Sequence, residues 1–193
     1  MADDMLTVAA VAGSLRRGSF NRGLLRAAAE IAPEGMRIVP FELDDIPMFN
    51  ADLEAVGDPT PVLRFKEAIA GADALLIATP EYNHCVPGVL KNAIDWASRP
   101  ARRSVLTNRP IAVMGAATGG GGTARAQAHL RDGLAYTGGI VLPQPEVLVP
   151  FAATRFDEAG NLHDDATRDA IRELLVALAE WVRQLREGLP RAA

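Results

Sequence analysis

A three-layer α/β sandwich is the fold class this sequence predicts, with a five-stranded parallel sheet in the order 2-1-3-4-5 and helices on both faces. Three observations carry the prediction. Short apolar runs alternate with amphipathic stretches along the chain. The runs are apolar on both faces, as the strands of a doubly covered parallel sheet must be. Five such βα units fall within 193 residues, fewer than the ~250 a closed barrel typically needs. Right-handed crossovers leave few other arrangements. No repeat, linker or low-complexity tail interrupts the pattern, so residues 1–193 are expected to form one domain.

The strand candidates are 5–12, 36–42, 74–79, 110–115 and 140–149, the last interrupted by Pro143 and Pro145. Helical spacing appears between them. Leu24, Leu25, Ala28 and Ile31 share one face of the first helix, and Val62, Phe65, Ile69 and Ala70 one face of the second. Val89, Leu90, Ala93, Ile94 and Ala97 do the same in the third. A fourth helix is expected over 123–137. The last, over 165–187, carries Ile171, Leu174, Leu175, Leu178, Trp181, Val182 and Leu185 at helical spacing. Residues 44–60, rich in Asp, Pro and Gly, read as a long loop with a short turn or two.

Bulk composition excludes several functions. A formal charge of −4 lacks the basic face of a nucleic-acid binder. No apolar run approaches the ~20 residues of a membrane span. The start, MADDMLTVAAV, carries acids where a signal peptide needs basic residues. A single cysteine fits a reducing compartment, and three scattered histidines give no metal-ligand spacing. A cytoplasmic protein with no nucleic-acid, membrane or metal partner is expected.

In a doubly wound sheet, ligands bind outside the carboxyl ends of the strands. The loops after strands one, three and four therefore matter most. The first reads GSLRRGSFN, residues 13–21. Gly13 permits a tight exit from the strand, and the helix start that follows attracts anions through its unpaired N–H groups. Ser14, Ser19 and Asn21 add neutral hydrogen-bonding groups, and Arg16 or Arg17 a fixed cation. The set suits a phosphate monoester at one end of a larger ligand. The triphosphate-binding loop is excluded, because Ser19 and Phe20 stand where its lysine and Ser/Thr should be. The alternative is a solvated loop in which Ser19 or Asn21 is an ordinary helix cap.

The second loop lies in TPEYNHCVPGVLKNAIDW, residues 79–96. Pro80 and Pro87 bracket a stiff connection, with Glu81, Tyr82, Asn83 and His84 crowded between them. Rigid turns offer backbone donors to the polar edge of a flat heteroaromatic ring, and Tyr82 offers a surface for its face. Tyr82 equally suits a subunit contact. A lone loop histidine such as His84 is seldom a general base, and nothing in the charge pattern activates Cys85 as a nucleophile.

The third loop, GAATGGGGTARAQ, spans 115–127. Gly119, Gly121 and Ala124 satisfy G-x-G-x-x-A, yet in the fourth βα unit and with only Glu146 near the expected acidic position ~20 residues on. The glycines are read as permitting close backbone approach to a flat ligand. A merely flexible surface loop is the alternative.

Taken together, GSLRRGSFN, PEYNHCVPGVLKNAIDW and the glycine-rich segment ending TARAQ resemble the NADPH-dependent FMN reductase family, flavodoxin-like quinone and chromate reductases among them. The resemblance covers about residues 6–185. It implies that Ser14, Arg16, Ser19 and Asn21 hold the FMN phosphate. Pro80, Glu81, Tyr82 and Asn83 would line the isoalloxazine, mainly through their backbone. Ala117, Thr118, Gly119 and Gly120 would approach its other polar side. Relatives often carry serine where Ala116 and Ala117 stand, a contact that Thr118 can replace. They also often have serine or glycine at Cys85. The resemblance implies a homodimer or homotetramer, with Leu90, Ile94 and Trp96 partly between subunits. It implies a ping-pong transfer of a hydride from NAD(P)H to FMN and of two electrons to a quinone, free flavin, azo compound or chromate. No catalytic side chain is then required. The competing readings are an electron carrier of the flavodoxin type and a regulatory module for another phosphorylated ligand.

Overall fold

A computed structural model describes residues 5–188. The strands are β1 (Leu6–Ala12), β2 (Met36–Phe41), β3 (Ala74–Ala78), β4 (Pro110–Ala116), β5 (Ile140–Val141) and β6 (Val147–Val149). The helices are α1 (Phe20–Glu30), α2 (Ala51–Val56), α3 (Thr60–Ala70), α4 (Gly88–Ala97), α5 (Ala124–Tyr136) and α6 (Asp165–Gly188). All pairings are parallel, in the order β2-β1-β3-β4-β5, with β6 also on β4. The flavodoxin-like order expected from the sequence is the one observed.

β5 and β6 are two halves of one edge strand. Val141 pairs with Ile111 and Val147 with Met114, so the edge advances six positions while β4 advances three. The surplus holds Pro143 and Pro145, which cannot donate to the ladder and are tolerated where one side is open.

Alternate residues of the buried strands feed two cores. Val8, Ala10, Leu76 and Met114 pack under α1 and α6 with Leu24, Ile171, Leu175 and Leu178. Val11, Leu75, Ile77 and Ile111 pack under α3, α4 and α5 with Val62, Ile69, Leu90, Trp96 and Leu134. Asp164 caps α6, accepting from the Thr167 N–H at 2.9 Å and its hydroxyl at 2.5 Å. These bonds, led by the Thr167 hydroxyl, hold its carboxyl below the usual range, with Arg155 assisting.

Two expectations need correction. Residues 51–56 form a helix within the stretch read as a loop, capped by Asn50, whose side chain accepts from the Asp52 N–H at 2.8 Å. Leu90, Ile94 and Trp96 lie in the chain's own core, 1%, 8% and 0% exposed. The Trp96 indole donates to the Pro47 carbonyl at 2.8 Å, so the segment before α2 packs against Trp96. Among the described residues, no helix is long and apolar enough to cross a membrane.

Candidate active site

The three loops meet at the carboxyl ends of β1, β3 and β4 around a cavity of about 700 Å³. Every contact residue expected from the sequence lines it, in all three groups: Ser14, Arg16, Ser19 and Asn21; 80–83; and 117–120.

The first loop leaves β1 with the Gly13 N–H donating to the Ala78 carbonyl at 2.8 Å. A Cβ at Gly13 would stand 3.1 Å from Leu90 Cδ2 and 3.2 Å from Pro80 Cδ, so the tight exit tolerates little else. Ser19 is the cap of α1, extended in backbone, and its Oγ accepts from the Arg22 N–H at 3.4 Å. No acidic residue occupies the first turn of α1, which leaves its positive end for an anion. The buried Ser14 hydroxyl accepts from the Arg16 N–H at 3.4 Å and lies 3.3 Å from the Tyr82 hydroxyl. Tyr82 thus bridges the first two loops. The Arg16 guanidinium rests 5.1 Å from the centre of the Phe20 ring, which places a fixed charge at this end of the cavity.

Asn21 departs from its expected use. Its side-chain N–H donates to the Ala116 carbonyl at 2.9 Å, and its oxygen accepts from the Ala116 N–H at 3.0 Å. With the side chain so engaged, what Asn21 can offer a phosphate is its peptide N–H in the first turn of the helix.

The second loop is a two-residue hairpin. Tyr82 and Cys85 exchange backbone bonds at 3.3 and 3.0 Å around Asn83 and His84, both left-handed at φ 52° and 61°. Such turns favour Asn-Gly, and here histidine stands at the glycine position. His84→Gly is therefore expected to relieve this strain and raise stability by up to about 1 kcal/mol, a rise of roughly 2–4 °C in Tm. Thermal unfolding followed by circular dichroism checks it, and an unchanged or lower Tm would remove strain from the account.

What the histidine gains is a contact to the third loop. His84 Nε2 lies 3.1 Å from Arg125 Nη1, and since a guanidinium only donates, Nε2 is the acceptor. Glu81 makes a second bridge. Its carboxylate accepts from the Arg125 and Ala126 N–H groups, both at 3.0 Å, and so caps α5 across space. Thr123 makes no side-chain cap there, and a carboxylate at a helix N-terminus is electrostatically favoured.

The glycine-rich loop is fastened from behind. Ala117 donates to the Val149 carbonyl at 3.1 Å, Phe151 to that of Gly119 at 3.3 Å, and Ala152 to that of Ala117 at 3.0 Å. Arg125 also lines the cavity and gives it a second cation, a role the sequence reading did not assign. Its place in TARAQ, in the first turn of a helix that follows the glycines, is the available signal. Cys85 is exposed and unpaired. Among the described residues, no cluster of histidine, cysteine or acidic groups could hold a metal.

Residues 6–154 match the family described as NADPH-dependent FMN reductase. An NAD(P)H-dependent FMN reductase of Pseudomonas aeruginosa is 48% identical over 96% of this chain and 100% of its own length. A 2-hydroxy-1,4-benzoquinone reductase of a Burkholderia species is 42% identical over 94% of this chain and 98% of its own. The solved structure of the flavoenzyme FerB, an NAD(P)H:(acceptor) oxidoreductase of Paracoccus denitrificans, superposes with a TM-score of 0.84. It is 35% identical, covering 93% of this chain and 98% of that one. On sequence, fold and the convergence of its three loops, this chain belongs to the NADPH-dependent FMN reductase family.

Proposed function

We propose that this chain is one FMN-binding domain that passes electrons from NAD(P)H to a small acceptor in the cytoplasm, as a homodimer or homotetramer. The observation that carries the reading is the polarity of the cavity along its length. One end holds a capped helix start, two serine hydroxyls and Arg16. The other holds a rigid hairpin and a glycine-rich strand exit. FMN has the same polarity, a phosphate on a flexible tail and a flat ring with a polar edge, so the residues present fit it.

Ser14, Arg16, Ser19 and the first-turn N–H groups of α1 would hold the phosphate. Pro80, Glu81, Tyr82 and Asn83 would line the ring through the hairpin backbone, and Ala117, Thr118, Gly119 and Gly120 would approach its other side. Bound FMN supplies the redox chemistry, a hydride accepted from NAD(P)H and two electrons released to an acceptor in ping-pong order. The protein's task is placement. Glu81 keeps the hairpin against α5, and Asn21 keeps α1 against the end of β4, so the two halves of the ring site hold one spacing. No side chain is assigned a proton transfer. Quinones are the first acceptors to test, given the quinone reductases among the relatives, with free flavin, azo compounds and chromate beside them.

The protein is expected to purify yellow or to turn so with FMN, to bleach anaerobically with NAD(P)H, and to regain colour with a quinone. A protein that gains no flavin absorbance ends the reading. One that binds FMN without oxidising NAD(P)H is an electron carrier.

A further inference from the structure

A second cavity, of about 270 Å³, opens on the other flank of α1. Arg17, Arg22 and Arg26 border it, with Pro40, Phe41 and Glu42 from the carboxyl end of β2. The two neighbouring arginines of the first loop diverge, Arg16 to the main cavity and Arg17 to this one.

Three arginines there face one carboxylate. Arg22 pairs with Glu42 at 2.5 Å, and Arg26 donates to the Gly160 carbonyl at 2.5 Å. Arg17 has no hydrogen-bond or ion-pair partner among the described residues, and the buried Nε of Arg22 also lacks one. Arg17 is exposed, so its whole guanidinium fork is open to an arriving anion. Surplus positive charge beside an apolar wall of Pro40 and Phe41 calls for an anion carried on a flat, apolar body.

Dinucleotide-binding α/β folds make a choice with the same groups. A carboxylate accepts from a free ribose 2′-hydroxyl, whereas an arginine accommodates a 2′-phosphate. Here the carboxylate is already neutralised by Arg22, and a second arginine stands free. We propose that this cavity takes the adenosine 2′-phosphate of the dinucleotide, so that NADPH is preferred to NADH. The proposal rests on the NAD(P)H-oxidising function above. Arg17 is the principal phosphate ligand, as a fork donor, with the Arg22 guanidinium adding positive charge at the same cavity. Pro40 and Phe41 offer the surface for the adenine.

Calorimetric titration with 2′,5′-ADP and with 5′-ADP tests it without electron transfer. The 2′-phosphorylated nucleotide is expected to bind at least about tenfold tighter. Arg17→Ala should erase most of that preference and lower the NADPH-to-NADH ratio of kcat/KM by a similar factor. Arg17→Lys, which keeps the charge but not the fork, should retain part of it. Glu42→Gln should strengthen it by freeing Arg22. Equal binding of the two nucleotides, or a preference that survives Arg17→Ala, overturns the proposal. A protein that discriminates the nucleotides but takes up no FMN would refute the flavin reading and leave this site standing.

Discussion

Gly115→Ala is expected to lower stability by about 3 kcal/mol, roughly 6–12 °C in Tm, and to weaken FMN binding at least about tenfold. Gly115 sits in β4 opposite Leu148, and its backbone needs no left-handed conformation. The demand is for space. A Cβ there would overlap the Thr79 carbonyl oxygen and the Thr123 hydroxyl. Neither neighbour can yield cheaply. Both threonines are fully buried, the Thr79 hydroxyl donates to the Pro80 carbonyl at 2.8 Å, and the Thr123 hydroxyl accepts from Gln127 at 2.9 Å.

The displacement would fall on function because Thr79 begins the hairpin loop and Thr123 precedes α5. One added methyl group therefore drives apart the two segments proposed to hold the ring. Gly119→Ala is the control, since a Cβ there meets nothing within 4 Å, and it should change stability by no more than about 0.5 kcal/mol. Equal melting of wild type and Gly115→Ala would mean that the close approach of Thr79 and Thr123 to Gly115 does not exist in solution.

Strand and helix positions were legible because both report a period. Apolar runs on both faces mark β1, β3 and β4, helical spacing marks α1, α3 and α4, and the ranges expected for α5 and α6 agree with the observed ones to within a residue. Where no period exists, reading fails. α2 has no buried residue, so its six positions carry no apolar face to detect. Periodicity also says that a face is covered without saying by what. The stripe of Leu90, Ile94 and Trp96 is expected to lie partly against another subunit, whereas all three are buried within this chain, Trp96 against the Pro47 segment.

The site divides along the same line. Polar residues in strand-end loops point to a ligand, and those expected to touch it line one cavity, whereas Arg17, the other arginine of the first loop, borders a second. Spacing along a chain does not reveal which polar atoms a ligand will find free. Glu81 spends its carboxylate on a helix start 44 residues away, and Asn21 its amide on a peptide 95 residues away. Both contacts link one loop to another, and neither leaves a local trace in sequence.

Asn21 gives the second large effect. It is 2% exposed, as is Ala116, so Asn21→Ala strands a buried N–H and a buried C=O together. Each costs about 1–3 kcal/mol when left unpaired, and a total loss of about 3–4 kcal/mol is expected. FMN affinity should fall with it, because the bond pair fixes the start of α1 against the end of β4. Asn21→Asp makes the diagnosis specific. Ionised, the carboxylate still accepts from the Ala116 N–H but turns a second acceptor, and a buried charge, toward the Ala116 carbonyl. Protonated, it donates and accepts as the amide does. Its folded pKa must therefore lie above the unfolded value of about 4. The sign follows: the pair's stability is present below pH ~4 and lost as pH rises through the folded pKa. Relative to wild type at each pH, Asn21→Asp should be close to neutral in acid and markedly destabilised at pH 7. Urea unfolding across that range measures it. A deficit that does not vary with pH would mean that Asn21 does not hold both polar groups of Ala116.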